Sequence, residues 1–149
     1  MIMSKKIFII LSFFTAILLA GSCTRKIVPG LKQGQEYNLA GYNNLYIEAI
    51  KQKLLGNIGN AMECFEKCIE INPASDASYY QMAQILISRG DVQAGKKFLK
   101  KACELSPGNL WYNMLLAGIY HQENNLDSTI ICYERAVKGN PGKDDILIS

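Results

Sequence analysis

The pairs Asn72-Pro73, Ser106-Pro107 and Asn140-Pro141 recur at a spacing of 34 residues, twice in succession. A fixed period of this size marks an array in which one helical unit is copied and stacked, so it constrains the fold more than any other feature of the chain. Three windows follow, Tyr42 to Ser75, Asp76 to Asn109 and Leu110 to Lys143, and their residues can be compared place by place. The eighth place holds Ala49, Ala83 and Ala117, and the fifteenth Gly56, Gly90 and Asn124. The twenty-fourth holds Phe65, Leu99 and Tyr133, and the twenty-seventh Cys68, Ala102 and Ala136.

Each of these choices has a backbone reason. Alanine lets two helices approach closely, Gly or Asn accepts the left-handed conformation that ends a helix, and proline stops the next one. Each window therefore reads as helix, turn, helix. The apolar period agrees: Tyr79, Met82, Ala83 and Leu86 share one face, as do Leu116, Ala117 and Tyr120. In the second helices Ala61, Phe65, Cys68 and Ile69 form a stripe, matched by Ile130, Tyr133, Ala136 and Val137. First helices are expected near 42–55, 76–89 and 110–123, and second helices near 58–71, 92–105 and 126–139. Gln35 to Leu39 are compatible with a backward extension of the first.

Over residues 42–143 this pattern resembles the tetratricopeptide repeat family. The resemblance implies an all-α superhelix of three helix-turn-helix repeats, at 42–75, 76–109 and 110–143, that binds other proteins. Where the family has Leu and Tyr in its first helix, the first window has Glu48 and Gln52, as suits an end repeat with no neighbour on its outer side. Gly95 stands in place of the usual Ala, and Gly139 weakens the end of the last helix by about 1 kcal/mol relative to Ala. The tail 144–149 looks like the start of a further first helix that stops early. It folds back on the third hairpin, belongs to a truncated repeat, or leaves a face for another protein.

The family's binding surface is the concave side, lined by the first helices. The resemblance therefore places Tyr46, Ile50 and Lys53, then Tyr80, Gln84 and Ile87, then Trp111, Met114, Gly118 and His121 in a protein-binding groove. Some family members clamp a C-terminal carboxylate with Lys, Asn and Arg. At those places this chain has Tyr46, Ile50, Gln81, Trp111 and Leu115, so a hydrophobic or helical segment is the expected occupant.

The first 22 residues read as an address. Lys5 and Lys6 precede a largely apolar run from Ile7 to Ala20, then Gly21, Ser22 and Cys23. A helix of that run spans about 21 Å, short of the roughly 30 Å hydrocarbon core. Leu19-Ala20-Gly21-Ser22-Cys23 resembles the lipobox of bacterial lipoproteins, which implies a signal peptide over 1–22 and acylation of Cys23. Residues 23–41 then form a tether. Thr24 in place of Asp, with no acidic cluster after it, points to the outer membrane and a periplasm-facing anchor. Without Lys5 and Lys6 the sixteen basic residues fall to fourteen against thirteen acidic, a net of +1 with no basic face for nucleic acid.

Candidates for chemistry are sparse. Cys64, Cys68, Cys103 and Cys132 lack the companion ligands of a zinc site and read as small buried side chains, with disulfides the alternative in an oxidising compartment. His121 is the only histidine and has no motif partner. Gly56-Asn57-Ile58-Gly59 is a hairpin turn without the Lys-Ser/Thr of a phosphate loop. No enzyme activity, cofactor or metal is expected. The expected role is a membrane-anchored scaffold or adaptor for another envelope protein. The alternative is a self-associating component of an outer-membrane assembly or secretion complex, a homo-oligomer formed through the uncapped last repeat.

Overall fold

The computed structural model describes residues 33–142, with side chains from Leu39 onward. The export segment 1–22, Cys23, the tether up to residue 32 and the tail 144–149 lie outside the described residues. Six helices run in order: α1 Gln33–Leu54, α2 Ile58–Ile71, α3 Asp76–Ser88, α4 Val92–Leu105, α5 Leu110–Gln122 and α6 Leu126–Gly139. They pack as three consecutive pairs, α1 with α2, α3 with α4 and α5 with α6. Helices α2 and α4 also touch the first helix of the next pair.

The boundaries come from local chemistry. Gly56, Gly90 and Asn124 close the first helices at φ +79°, +88° and +57°. Asn is one of the few side-chain-bearing residues that tolerates this region, which is why it can replace Gly at the third copy. Four of the helices carry a side-chain N-cap: Ser75 accepts from the Ser78 amide, Asp91 from Ala94, Asn109 from Trp111 and Tyr112, and Asn125 from Ser128. Each satisfies amides that a helix start leaves without partners. Asn57 makes no such bond before α2 and instead donates from Nδ2 to Gln52 Oε1 at 2.8 Å. Helix α1 begins at Gln33, well ahead of Tyr42. The second helices end at Asn72, Ser106 and Asn140, each directly before a proline.

Two core clusters sit at the junctions. Ala49, Ala61, Phe65, Met82 and Ile85 join the first pair to the second. Ala83, Leu99, Ala102, Cys103, Leu116, Ala117 and their neighbours join the second to the third. Phe98 packs against both. Burying one Phe or Leu contributes about 1.5–3 kcal/mol, so these clusters hold neighbouring hairpins together.

The last helix departs from the expected stripe. Of Ile130, Tyr133, Ala136 and Val137 only Ala136 is buried, at 0 %; the others are 55 %, 41 % and 40 % exposed. The reason is positional. Their counterparts in α2 and α4 lie beneath a following hairpin, and among the described residues α6 has none.

Candidate functional site

The first helices are bound to one another side chain to side chain, and this fixes the surface they share. Lys53 Nζ on α1 donates to Gln81 Oε1 (2.7 Å) and Gln84 Oε1 (3.1 Å) on α3. Burial pulls the Lys53 ammonium below its usual pKa. From α3 to α5, Tyr80 and Tyr112 bring their ring centroids to 4.5 Å, and the Tyr112 hydroxyl donates to Asp76 Oδ2 at 3.3 Å. Burial, with the neighbouring Asp76 carboxylate, raises the Tyr112 phenol far above its ordinary pKa and keeps it a hydrogen-bond donor.

The residues expected in the groove divide into tiers. Tyr46 and Ile50 are half-buried against the first core, where Tyr46 meets the edge of Phe65 at 5.6 Å between centroids. Tyr80 is half-buried beside Tyr112, and Lys53 and Gln84 bridge α1 to α3. Ile87, Met114 and Gly118 come together in a pocket of about 180 Å³, whose wall includes Val92, Leu115 and Gln122. Trp111 is 62 % exposed, and His121 is exposed; neither lines that pocket.

Val92, Ile119 and Gln122 belong to the pocket but not to the residues expected from sequence. Val92 opens the second helix of its hairpin, and the rule of projecting first-helix places inward passes over it. Gln81 acts as a partner of Lys53 and not as a clamp residue.

A larger hollow, about 500 Å³, opens between α4 and α6, lined among others by Lys100, Cys103, Glu104, Cys132 and Arg135. Cys68, Cys103 and Cys132 are buried and Cys64 half-buried, and all four are free thiols. Burial pushes the Cys103 thiol up to about 11, which disfavours the reactive thiolate. Among the described residues no group of three or more His, Cys, Asp or Glu is placed to share a metal ion. Nor, among the described residues, is any helix long and apolar enough to cross a membrane.

Three helix pairs stacked at a constant repeat, with their first helices wired into one surface, define a helical-repeat recognition module. Tetratricopeptide repeat family models match residues 52–75, 64–97 and 112–142, together just over half of the chain. The chain belongs to the tetratricopeptide repeat family. It is similar to the tetratricopeptide repeat protein 36 homolog of Nematostella vectensis, 28 % identical over 98 residues that cover 64 % of this chain and 54 % of that protein. It thus spans about half the length of that relative. The fold is shared with MamA, at a TM-score of 0.62, 15 % identity and coverage of 70 % of this chain and 61 % of that one. The type III secretion chaperone SycD of Yersinia enterocolitica, in complex with a peptide of the translocator YopD, gives a TM-score of 0.62 at 12 % identity, covering 71 % of this chain and 81 % of that one. The first repeat domain of Spaghetti (RPAP3), bound to the HSP90 peptide SRMEEVD, gives 0.59 at 15 % identity, covering 68 % and 80 %.

Proposed function

We propose that this chain is a scaffold that binds a segment of another protein on the surface shared by α1, α3 and α5. The observation that carries this reading is the apolar pocket of Ile87, Met114, Leu115 and Gly118 between neighbouring repeats. A pocket of this size suits one or two apolar side chains, and exposed Trp111 on the same helix supplies the large, rigid contact area common at protein interfaces. Two proteins of the same fold hold peptides of their partners, which supports the reading by analogy of fold.

The chemistry favours an apolar segment over an acidic C-terminus. Lys53 already spends its charge on two glutamines, and Tyr46, Ile50, Gln81, Trp111 and Leu115 offer no cationic clamp. The export-type segment before Cys23 supports an anchored form, with acyl chains on Cys23 holding the repeats at the outer membrane on its periplasmic side. The partner is then another protein of the cell envelope.

Gly118 offers a direct test. A Cβ at this exposed lining position meets nothing within 4 Å, so Gly118→Phe adds a ring at the pocket without a clash at its first carbon. Affinity capture from detergent-solubilised envelope should recover partners with the wild type and lose them with Gly118→Phe and Trp111→Ala. Equal recovery by both variants would remove this surface from the binding role. Cys23→Ser should release the protein into the soluble fraction; retention in the membrane would count against the lipid anchor.

A further inference from the structure

The binding surface of α1, α3 and α5 leaves a second hollow unused, the one between α4 and α6. Leu116 and Tyr120 of α5 form its floor, and Cys103, Ile131 and Cys132 add apolar surface from the two walls. At about 500 Å³ it falls among small-molecule sites, which run from roughly 300 to 1,000 Å³. It is bounded at both ends. At the Tyr120 end Lys96 crosses from α4 to the end of α5, paired with Glu123 and seated 4.3 Å from the centre of the Tyr120 ring. Pro107, in the loop after α4, stands at the opposite end. A bounded hollow suits a small molecule better than a peptide running through it.

The charge around it is one-sided. Lys100 and Arg135 line it from opposite helices, both are exposed, and among the described residues neither has an ion-pair partner. The carboxylates beside them are already engaged: Glu104, on the α4 wall, accepts from Lys101 Nζ at 3.2 Å, and Glu123 from Lys96. Lys96, Lys100, Lys101 and Arg135 therefore outweigh Glu104 and Glu123. Further round the two helices, outside the lining, Lys97 and Lys138 balance Asp127 and Glu134. The repeat shows where the excess arises. Lys67, Lys101 and Arg135 share the twenty-sixth place, and three residues on, Glu70 and Glu104 give way to Lys138, so Arg135 alone has no acid one turn further along. Burial raises the Cys103 and Cys132 thiols, and at both the Arg135 guanidinium pulls the other way. Its charge thus reaches over a floor that carries none.

We propose that this hollow binds a small aliphatic carboxylic acid, its carboxylate held between Lys100 and Arg135 and its apolar body laid on Leu116, Tyr120 and Ile131. Two unpaired cations beside apolar surface fit an anionic head, and a guanidinium can hold a carboxylate through two parallel hydrogen bonds. The body displaces water from the floor, where the protonated thiols pack as small apolar groups. A neutral amphiphile of the same length gains the apolar part alone. The site does not depend on the groove reading, because none of the residues that hold the acid lines the pocket of Ile87, Met114 and Gly118.

The test uses the full chain in membranes of the cells that express it, irradiated with a diazirine analogue of dodecanoic acid, with adducts mapped by mass spectrometry. Labelling should saturate, fall on α5 and α6 around Leu116 and Ile131, and yield to dodecanoate but not to dodecanol. Lys100→Gln combined with Arg135→Gln should cut it by about tenfold. Both side chains are exposed, so the helical circular dichroism should not change. Ser128→Trp, which crowds the hollow without altering its charge, is the second variant and should also remove the label, so that either variant decides if the other unfolds. Equal competition by dodecanol, labelling that ignores the charge pair, or no saturable label would overturn the proposal. Gly118→Phe should leave labelling intact while it removes partner capture; a label lost in that variant would put the acid in the groove and overturn the assignment to this hollow.

Discussion

The first and last hairpins share a repeat but meet their surroundings differently. In the first, three of the places that would face a preceding hairpin carry Glu48, Lys51 and Gln52, bonded into a polar strip beside exposed Ile47, Leu54 and Leu55. In the last, the places that would face a following hairpin keep the residue types of the interior, and Leu126, Ile130, Tyr133 and Val137 stand exposed. A stack needs a finished face wherever it stops, because each repeat buries its apolar flank only against a neighbour. Among the described residues the polar strip finishes part of one end. At the other, the described residues leave the finish to whatever covers α6.

The comparison is broken or kept most sharply at the twenty-fourth place. Phe65→Ala and Leu99→Ala each empty a fully buried junction and should cost about 3–5 and 2–5 kcal/mol in urea unfolding. Tyr133→Ala removes a ring that is 41 % exposed and should cost about 1 kcal/mol when the chain is dilute. Should the three substitutions cost alike, α6 is covered within the chain and the contrast between the ends disappears.

The next effect lies where α6 ends. A Cβ on Gly139 would fall 2.5 Å from the Gly108 Cα and closer still to its carbonyl oxygen. Asn140 Nδ2 ties the same loop down by donating to the Gly108 carbonyl at 2.9 Å. Glycine costs helix stability at this place, but the loop of the preceding repeat requires its absent side chain. Gly139→Ala should therefore lower stability by about 1–3 kcal/mol despite the better helix former. A rise in Tm would mean that the end of α6 is not held against that loop.

Cys103 reports on the junction between the second and third repeats. Its folded-state pKa, pushed up to about 11 by burial, exceeds the ordinary value of 9.0. The unfolded chain therefore loses this proton first. The stability this thiol contributes is complete below pH 9 and falls as the pH rises through 11. At pH 10 the loss should be about 1 kcal/mol in urea unfolding, and it should vanish in Cys103→Ala. Val137 occupies the same place in the last repeat, at the uncovered flank, where no equivalent alkaline loss can arise.

Much of this architecture is legible in residue types alone. Gly56, Gly90 and Asn124 answer a backbone requirement, as do the prolines after Asn72, Ser106 and Asn140, and such requirements hold wherever the chain sits. Glu48 and Gln52 are likewise readable, because a charge at an interior place contradicts burial. Three features are not readable in this way. Ile130, Tyr133 and Val137 have the same types as covered residues, and exposure depends on the neighbour, which residue type does not record. The bonds from Lys53 to Gln81 and Gln84 join helices about thirty positions apart in the chain. The pocket is a matter of shape, set by how Val92 and Ile87 meet Met114 and Gly118 across a junction. The early start of α1 at Gln33 was only partly visible, because its opening turns carry Gly34 and polar side chains instead of an apolar stripe.

The smallest effect on stability should carry the clearest structural consequence. Glu48→Leu combined with Gln52→Leu replaces the polar strip with the apolar types found at the same places in the later repeats. Both side chains lie on the outer side of α1, where no described residue depends on them for packing, so Tm should barely move. The variant would present a preceding flank that matches the stripe on α6, and two different complementary flanks on one molecule make a contact that does not close. Light scattering should then rise with concentration toward open-ended assemblies more steeply than for the wild type. Adding Ile130→Glu should suppress that growth by removing the matching flank. If the double leucine variant remains as compact as the wild type, then polarity at the first hairpin is not what limits the stack, and the shape of α1 itself must block a further hairpin.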